Sequence, residues 1–140
     1  MIVIVCSALI TQDDQMLLVR EKKVDKFGLP GGKLEEGESL RACLLREIKE
    51  ELDAEIDIES LVRIVEKPRT HENNTVLRFI YRARIVSTGT ESELSYGYYD
   101  QAQIESIVAE GKLRGKDVER LVGDNFAGVL GPLTEPELFT

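Results

Sequence analysis

The chain has 140 residues, 42% hydrophobic and 31% charged, with a formal net charge of -8; this gives room for one compact domain with a proper core and not comfortably for two, so residues 1–140 are read as a single soluble domain. An acidic surface gains nothing from counterion release on a duplex, which argues against sequence-general nucleic-acid binding, and no run approaches the roughly 20 apolar residues needed to cross a bilayer. Acidity is also ill matched to a phosphate-rich small molecule unless cations stand between carboxylates and phosphates, a first sign of a metal site.

Residues 1–11 form a continuous apolar run closed by the polar turn 12–15, and residues 16–21 resume as a second strand, a hairpin signal. The opening run lacks a basic n-region and a small-residue cleavage site, so it reads as a buried strand and not as a signal peptide. Phe27-Gly28-Leu29-Pro30-Gly31-Gly32 is too rich in glycine and proline to be expected as regular structure. From Ser39, a suitable N-cap, the period changes: Leu40, Leu44, Leu45, Ile48 and Leu52 recur at three- and four-residue spacing and predict an amphipathic helix of about four turns. Residues 56–65 return to strand character, with Pro68 expected to stop them before a polar loop at 69–74. Residues 75–86 form the clearest strand, with Leu77, Phe79, Tyr81, Ala83 and Ile85 on one face and Arg78, Arg82 and Arg84 on the other. A loop at 87–96 leads to the short piece Tyr98-Tyr99, and two helical patterns, 101–110 and about 116–126, close the chain, with Gly111 and Gly123 near their ends. Strands before and after a central helix predict a mixed α/β domain with helices packed on a sheet. Cys6 and Cys43, without CxxC or Cys/His spacing, read as small buried hydrophobes in a reducing, cytoplasmic setting.

The informative segment is GGKLEEGESLRACLLREIKEELDA, beginning at Gly31. Glu47, Glu50 and Glu51, at i, i+3 and i+4, share one side of the predicted helix, largely opposite the Leu40/Leu44/Ile48 stripe. Like charges so placed repel by a few tenths of a kcal/mol even when exposed, a crowding that a hard cation relieves, since carboxylate oxygens are the preferred ligands of magnesium and manganese. For an arbitrary E-x-x-E-E a solvated acidic face is the commoner outcome. Here Arg46 stands beside the cluster to pair with Glu50 or Glu38, and the glycines just before it let bare backbone approach a ligand.

This segment resembles the Nudix box, G-x5-E-x7-R-E-U-x-E-E-x-G-U with U a bulky apolar residue. Gly32, Glu38 and Arg46-Glu47-Ile48-Lys49-Glu50-Glu51 match seven of its nine fixed or typed positions at the family's spacing, within a box spanning about 32–54. Asp53 stands where the family has glycine and Ala54 where it has a larger apolar residue; both put the turn at the helix exit in doubt more than the chemistry. The resemblance implies an α/β/α sandwich around a central mixed sheet and a cytoplasmic hydrolase acting on a phosphoanhydride bond of a nucleoside diphosphate derivative. It further implies Glu47, Glu50, Glu51 and the Gly31 carbonyl as ligands of magnesium or manganese. Glu38 and Arg46 are implied as the pair that orients loop and helix.

Glu91 and Glu93 lie where several relatives supply an extra acidic ligand, Glu93 being the nearer candidate, with surface charge as the equal alternative; His71 and Glu72 are further loop candidates. Arg78 and Arg82 suit phosphate oxygens, against a balancing exposed face as the plainer reading. Phe27, Tyr96, Tyr98 and Tyr99 suit stacking on a base, though core packing is the commoner fate of such rings. Asn73 and Asn74 suit a base edge, but two asparagines in a turn need no ligand to explain them. The compact length looks most like the MutT-related group that releases a nucleoside monophosphate and pyrophosphate from a triphosphate. ADP-ribose, dinucleoside polyphosphates and nucleotide sugars are alternatives, as is a non-catalytic nucleotide-binding module. An intact R-E-x-x-E-E argues against that last reading. The apolar segment 127–140, with Pro132 and Pro136, suits either a homodimer contact or packing on its own sheet.

Overall fold

The apolar run at the N-terminus is shared between two sheets. In the computed structural model, which describes residues 1–69 and 73–115, the chain forms β1 (Ile2–Leu9), β2 (Thr11–Gln12), β3 (Gln15–Glu21), β4 (Lys26–Gly28), β5 (Gly31–Lys33), α1 (Leu40–Leu52), β6 (Ala54–Arg69), β7 (Asn74–Thr88), β8 (Ser95–Tyr99) and α2 (Gln101–Ala109). His71, Glu72, the expected helix at 116–126 and the segment 127–140 lie outside the described residues.

One sheet has the order β5-β1-β7-β6, with β1 parallel to β7 and antiparallel to β5. It is therefore mixed, as expected. The other joins β2, β3 and β4, with β8 also paired to β3. The expected hairpin exists, but its first strand is only Thr11–Gln12, because the chain leaves the first sheet after Leu9. Its turn is the pair Asp13-Asp14, both at positive φ, 49° and 61°; aspartate tolerates this region better than most residues.

Three further expectations are corrected. The Gly-Pro segment contributes two short strands, β4 and β5, in place of irregular chain. β6 runs through Pro68, because at the edge of its sheet a missing N–H costs no ladder bond. The loop expected at 87–96 ends sooner, since Ser95 and Tyr96 already pair with β3.

The two helices pack on opposite sides of the sheets. On one side α1 lays Cys43, Leu44, Ile48 and Leu52 against Cys6, Ala8, Leu17, Val19 and Ala83. Leu44, Ile48 and Leu52 are completely buried, each worth about 1.5–3 kcal/mol of apolar transfer. On the other side Ile104 and Ile107 of α2 join Leu9, Leu18, Phe27, Val62, Val65 and Ile80. The arginine face of β7 is thus not a solvated face: Ile80, between Arg78 and Arg82, is wholly buried and Val76 nearly so. The layers follow the α/β/α expectation.

Candidate active site

The loop and helix carrying the glutamates are fixed by local chemistry. Ser39 accepts the Ala42 N–H at 3.0 Å and caps α1 from an extended backbone. Glu38, one residue earlier, receives the Arg46 guanidinium as a fork, Nε at 2.6 Å and Nη2 at 2.9 Å, and also accepts the Glu35 N–H at 2.9 Å. The Arg46 fork, with the Glu35 amide, holds the Glu38 carboxyl down to about 2. Arg46 Nη1 reaches Glu47 at 2.8 Å and Glu50 at 3.4 Å, and Nη2 donates to the Lys33 carbonyl at 3.1 Å. The Arg46–Glu38 contact is thus formed, and Arg46 also reaches two of the three helix glutamates.

Close approach requires the glycines before the helix. β5 lies so tightly on β1 that a Cβ on Gly31, at φ 147°, would fall 2.0 Å from the Cys6 carbonyl oxygen. A Cβ on Gly32 would fall 2.4 Å from the Glu47 carboxyl carbon, which is the mobile end of a side chain. Gly32→Ala is thus expected to displace the Glu47 carboxylate while leaving the fold intact. Turnover should fall about tenfold or more with the melting temperature nearly unchanged; wild-type turnover in that variant would remove Glu47 from the site.

Glu51, like Glu47, is half-buried, whereas Glu50 is exposed. Its Oε1 accepts the Gly31 N–H at 2.6 Å. Burial nonetheless pushes the carboxyl up to about 7, and the neighbouring charges of Glu47, Glu93 and Glu21 add to the rise. Glu51 stands where two hollows meet. One, about 170 Å³, is lined by Ser7, Gly31, Arg78 and Arg114 among others. The second, an open groove of about 520 Å³, places Lys22 and Lys23 on its wall with Glu51 and Glu93. Arg78 thus reaches the site. Arg82 does not line either hollow, and Arg84 pairs with Asp57 at the surface.

Phe27 is corrected outright. Its ring is in the core, edge-on to Tyr99 with centroids 5.5 Å apart and under the Arg20 guanidinium, so it is not free to stack on a base. Tyr96 and Tyr98 pack partly against the α1 side of the core. Asn73 engages the chain's amino terminus through its carbonyl, at 3.3 Å. Glu91 is exposed and its N–H is bonded to Asp53. Sequence reasoning missed Ser7 and Arg114 as cavity walls. Arg114 arrives because residues 112–114 run beside Phe27, and it forks onto Glu21 at 2.9 Å across 93 residues of chain; no local pattern signals such a pairing.

Among the described residues no three acidic, histidine or cysteine side chains are already gathered around one point as a metal ion requires. The donor set nevertheless suits a hard divalent cation. Every available group is an oxygen, and burial first, then the nearby charges of Glu47, Glu93 and Glu21, raises the Glu51 carboxyl to about 7. Glu47 and Glu50 both face the Arg46 guanidinium.

The fold is a two-sheet α/β domain in which a carboxylate-bearing helix follows a glycine-rich strand pair. The chain belongs to the NUDIX family, whose domain profile matches residues 1–115, and that family generally uses divalent metals. The Homo sapiens protein named "8-oxo-dGDP phosphatase NUDT18" is 28% identical over 129 residues, covering 85% of this chain and 37% of that protein. A Bacillus subtilis protein named "Putative 8-oxo-dGTP diphosphatase" is 29% identical over 84 residues, 59% of this chain and 56% of the relative. The chain thus spans little more than half the length of these relatives at most. Among solved structures, a NUDIX hydrolase from Nitrosomonas europaea superimposes with a TM-score of 0.78 at 28% identity, covering 95% of this chain and 94% of that one. Among the described residues no helix is long and apolar enough to cross a membrane.

Proposed function

We propose that the chain hydrolyses a phosphoanhydride bond in a nucleoside diphosphate derivative, with magnesium as the working ion and manganese able to replace it. The observation that carries this reading is Glu51: a half-buried carboxylate, anchored on the Gly31 amide, at the meeting of two hollows and near other glutamates. Glu47, Glu50 and Glu51, the Gly31 carbonyl and Glu93 form the set that would hold the ion, which supplies positive charge to phosphate oxygens and acidifies water. Arg46 and Glu38 keep the helix and loop in place. Arg78, on the cavity wall, is suited to a phosphate oxygen. In the reaction water adds to one phosphorus, the bridging P–O bond breaks, and the second phosphate leaves.

For the substrate, the printed names of both curated relatives refer to oxidised guanine nucleotides, which puts 8-oxo-dGTP and 8-oxo-dGDP first. ADP-ribose, dinucleoside polyphosphates and nucleotide sugars follow. The test is a panel of these compounds and canonical triphosphates, each with magnesium, manganese or chelator, beside Glu50→Gln. Metal-dependent turnover of one compound, lost in the variant, is the expected result. Nucleotide binding without turnover would favour a non-catalytic module. Turnover indifferent to chelator would overturn the metal-dependent mechanism.

A further inference from the structure

The box departs from the family's pattern at Asp53, and the carboxylate found there has a structural partner. Asp53 ends α1 at φ 51°, ψ 48°, a left-handed backbone that glycine takes freely and aspartate tolerates. Backbone geometry accounts for glycine in the family; it gives no reason for a carboxylate. That carboxylate is wrapped by the start of the loop between β7 and β8. Its Oδ2 accepts the Glu91 N–H at 3.0 Å, and the Thr90 amide also acts on the carboxylate. A Cβ on Gly89 would fall 2.0 Å from Oδ2, and Lys49 holds Oδ1 at 3.0 Å. Two backbone bonds complete the seam: the Gly89 N–H donates to the Asp53 carbonyl at 2.7 Å, and the Leu94 N–H to the Glu51 carbonyl at 3.0 Å. Glu93 lies between the Glu91 and Leu94 anchors and shares a groove wall with Glu51.

We propose that Asp53 is a positioning residue: by binding the amides of residues 90 and 91 it fastens the loop to the end of α1 and sets Glu93 beside Glu51. The inference rests on the reading above, in which Glu93 belongs to the cation site. Without the carboxylate the amides of residues 90 and 91 lose their acceptor, and between the backbone bonds of Gly89 and Leu94 the segment bearing Glu93 has no tie to the end of α1.

The test uses the whole chain and four variants: Asp53→Gly, Asp53→Asn, Glu93→Gln and the double variant Asp53→Gly/Glu93→Gln. Lys49→Ala serves as a control for the ion pair. Manganese affinity is measured by calorimetry without nucleotide, protection of the Glu91 amide by hydrogen exchange, and turnover on the best compound of the panel. Asp53→Gly should keep the helix end, lose Glu91 protection and bind manganese about 10-fold more weakly, the usual scale for groups that orient metal ligands. Glu93→Gln should weaken binding similarly, and the double variant no further than either single change. Asp53→Asn, whose amide oxygen still accepts the Glu91 N–H, should restore protection and most of the affinity, and Lys49→Ala should resemble the wild type. Wild-type affinity in Asp53→Gly or in Glu93→Gln would overturn the proposal, as would effects that multiply in the double variant. If manganese binding follows this pattern while no compound is hydrolysed, the proposed reaction fails and the role of Asp53 stands. A wild type that binds no manganese overturns both.

Discussion

Glu51→Gln is expected to abolish turnover and, in the same protein without metal, to raise the melting temperature above neutral pH. The two effects share a cause. The carboxylate is half-buried, and its desolvation, with neighbouring negative charges, raises its folded-state value from the ordinary 4.5 to about 7. A raised value means the folded state binds the extra proton. Stability from this group is therefore present below pH 4.5, declines as pH rises through the window to about 7, and is absent above it. The difference corresponds to about 3 kcal/mol at most between the ends of that window. Glutamine keeps an oxygen for the Gly31 N–H and carries no charge, so it escapes this cost. Calorimetry at pH 5 and pH 8.5 should show a variant melting several degrees above wild type only at the higher pH. Turnover should fall by about 10²-fold or more, the scale of a lost proton-transfer or charge-stabilising group. A variant that retains turnover would remove Glu51 from the chemistry; equal melting at both pH values would remove the buried charge.

Arg46→Ala carries the second large effect. The guanidinium is the cation to which Glu38, Glu47 and Glu50 all turn, and its side chain is 23% exposed against 16% for Glu38 and 15% for Glu47. Removing one partner from such a half-sheltered cluster leaves the carboxylates facing one another, which costs more than the pairs are worth when intact. A melting temperature lower by about 5–10 °C is expected at pH 7.5. The difference should shrink in acid, because Glu38 is depressed from 4.5 to about 2: the stability it draws from Arg46 is full above pH 4.5 and is lost as pH falls toward 2. Magnesium should recover part of the loss at pH 7.5, since any ligand that binds only the folded state stabilises it. Arg46→Lys, which keeps the charge and loses the fork, should fall between. Unchanged melting in Arg46→Ala would show that the cluster is solvated well enough to need no cation.

The parts of the site legible in the sequence were those whose geometry is set by neighbours along the chain. Three carboxylates at i, i+3, i+4 must share a side of a helix, and the leucine period says which side is buried. Ser39 as cap and Arg46 as the partner of Glu38 are likewise local. What was not legible depends on residues far apart. The β5 strand exists because Gly31 and Gly32 can lie against Ser7 and Cys6, and glycine alone reads as a breaker. The face carrying Arg78, Arg82 and Arg84 read as solvated, yet Ile80, which alternates with them, is buried against residues of β3, β4 and α2. Phe27 looked available until Tyr99, 72 residues on, met its ring edge-on. Asp53 read as a defect in the box because the amides it binds belong to a loop some forty residues later.

The two thiols, set back to back beneath this site, have a practical meaning. Cys6 and Cys43 are both fully buried, and burial pushes the Cys43 thiol up to about 12 and raises Cys6 as well. Since thiolates and not thiols react with alkylating labels, the native chain is nearly silent toward maleimides at neutral pH. It holds no other cysteines. A single cysteine placed in the loop after β7 would therefore be the one point of attachment for a fluorophore or spin label, with no need to strip the interior first. The movement of that loop, with and without a cation, can be followed on the otherwise unaltered molecule.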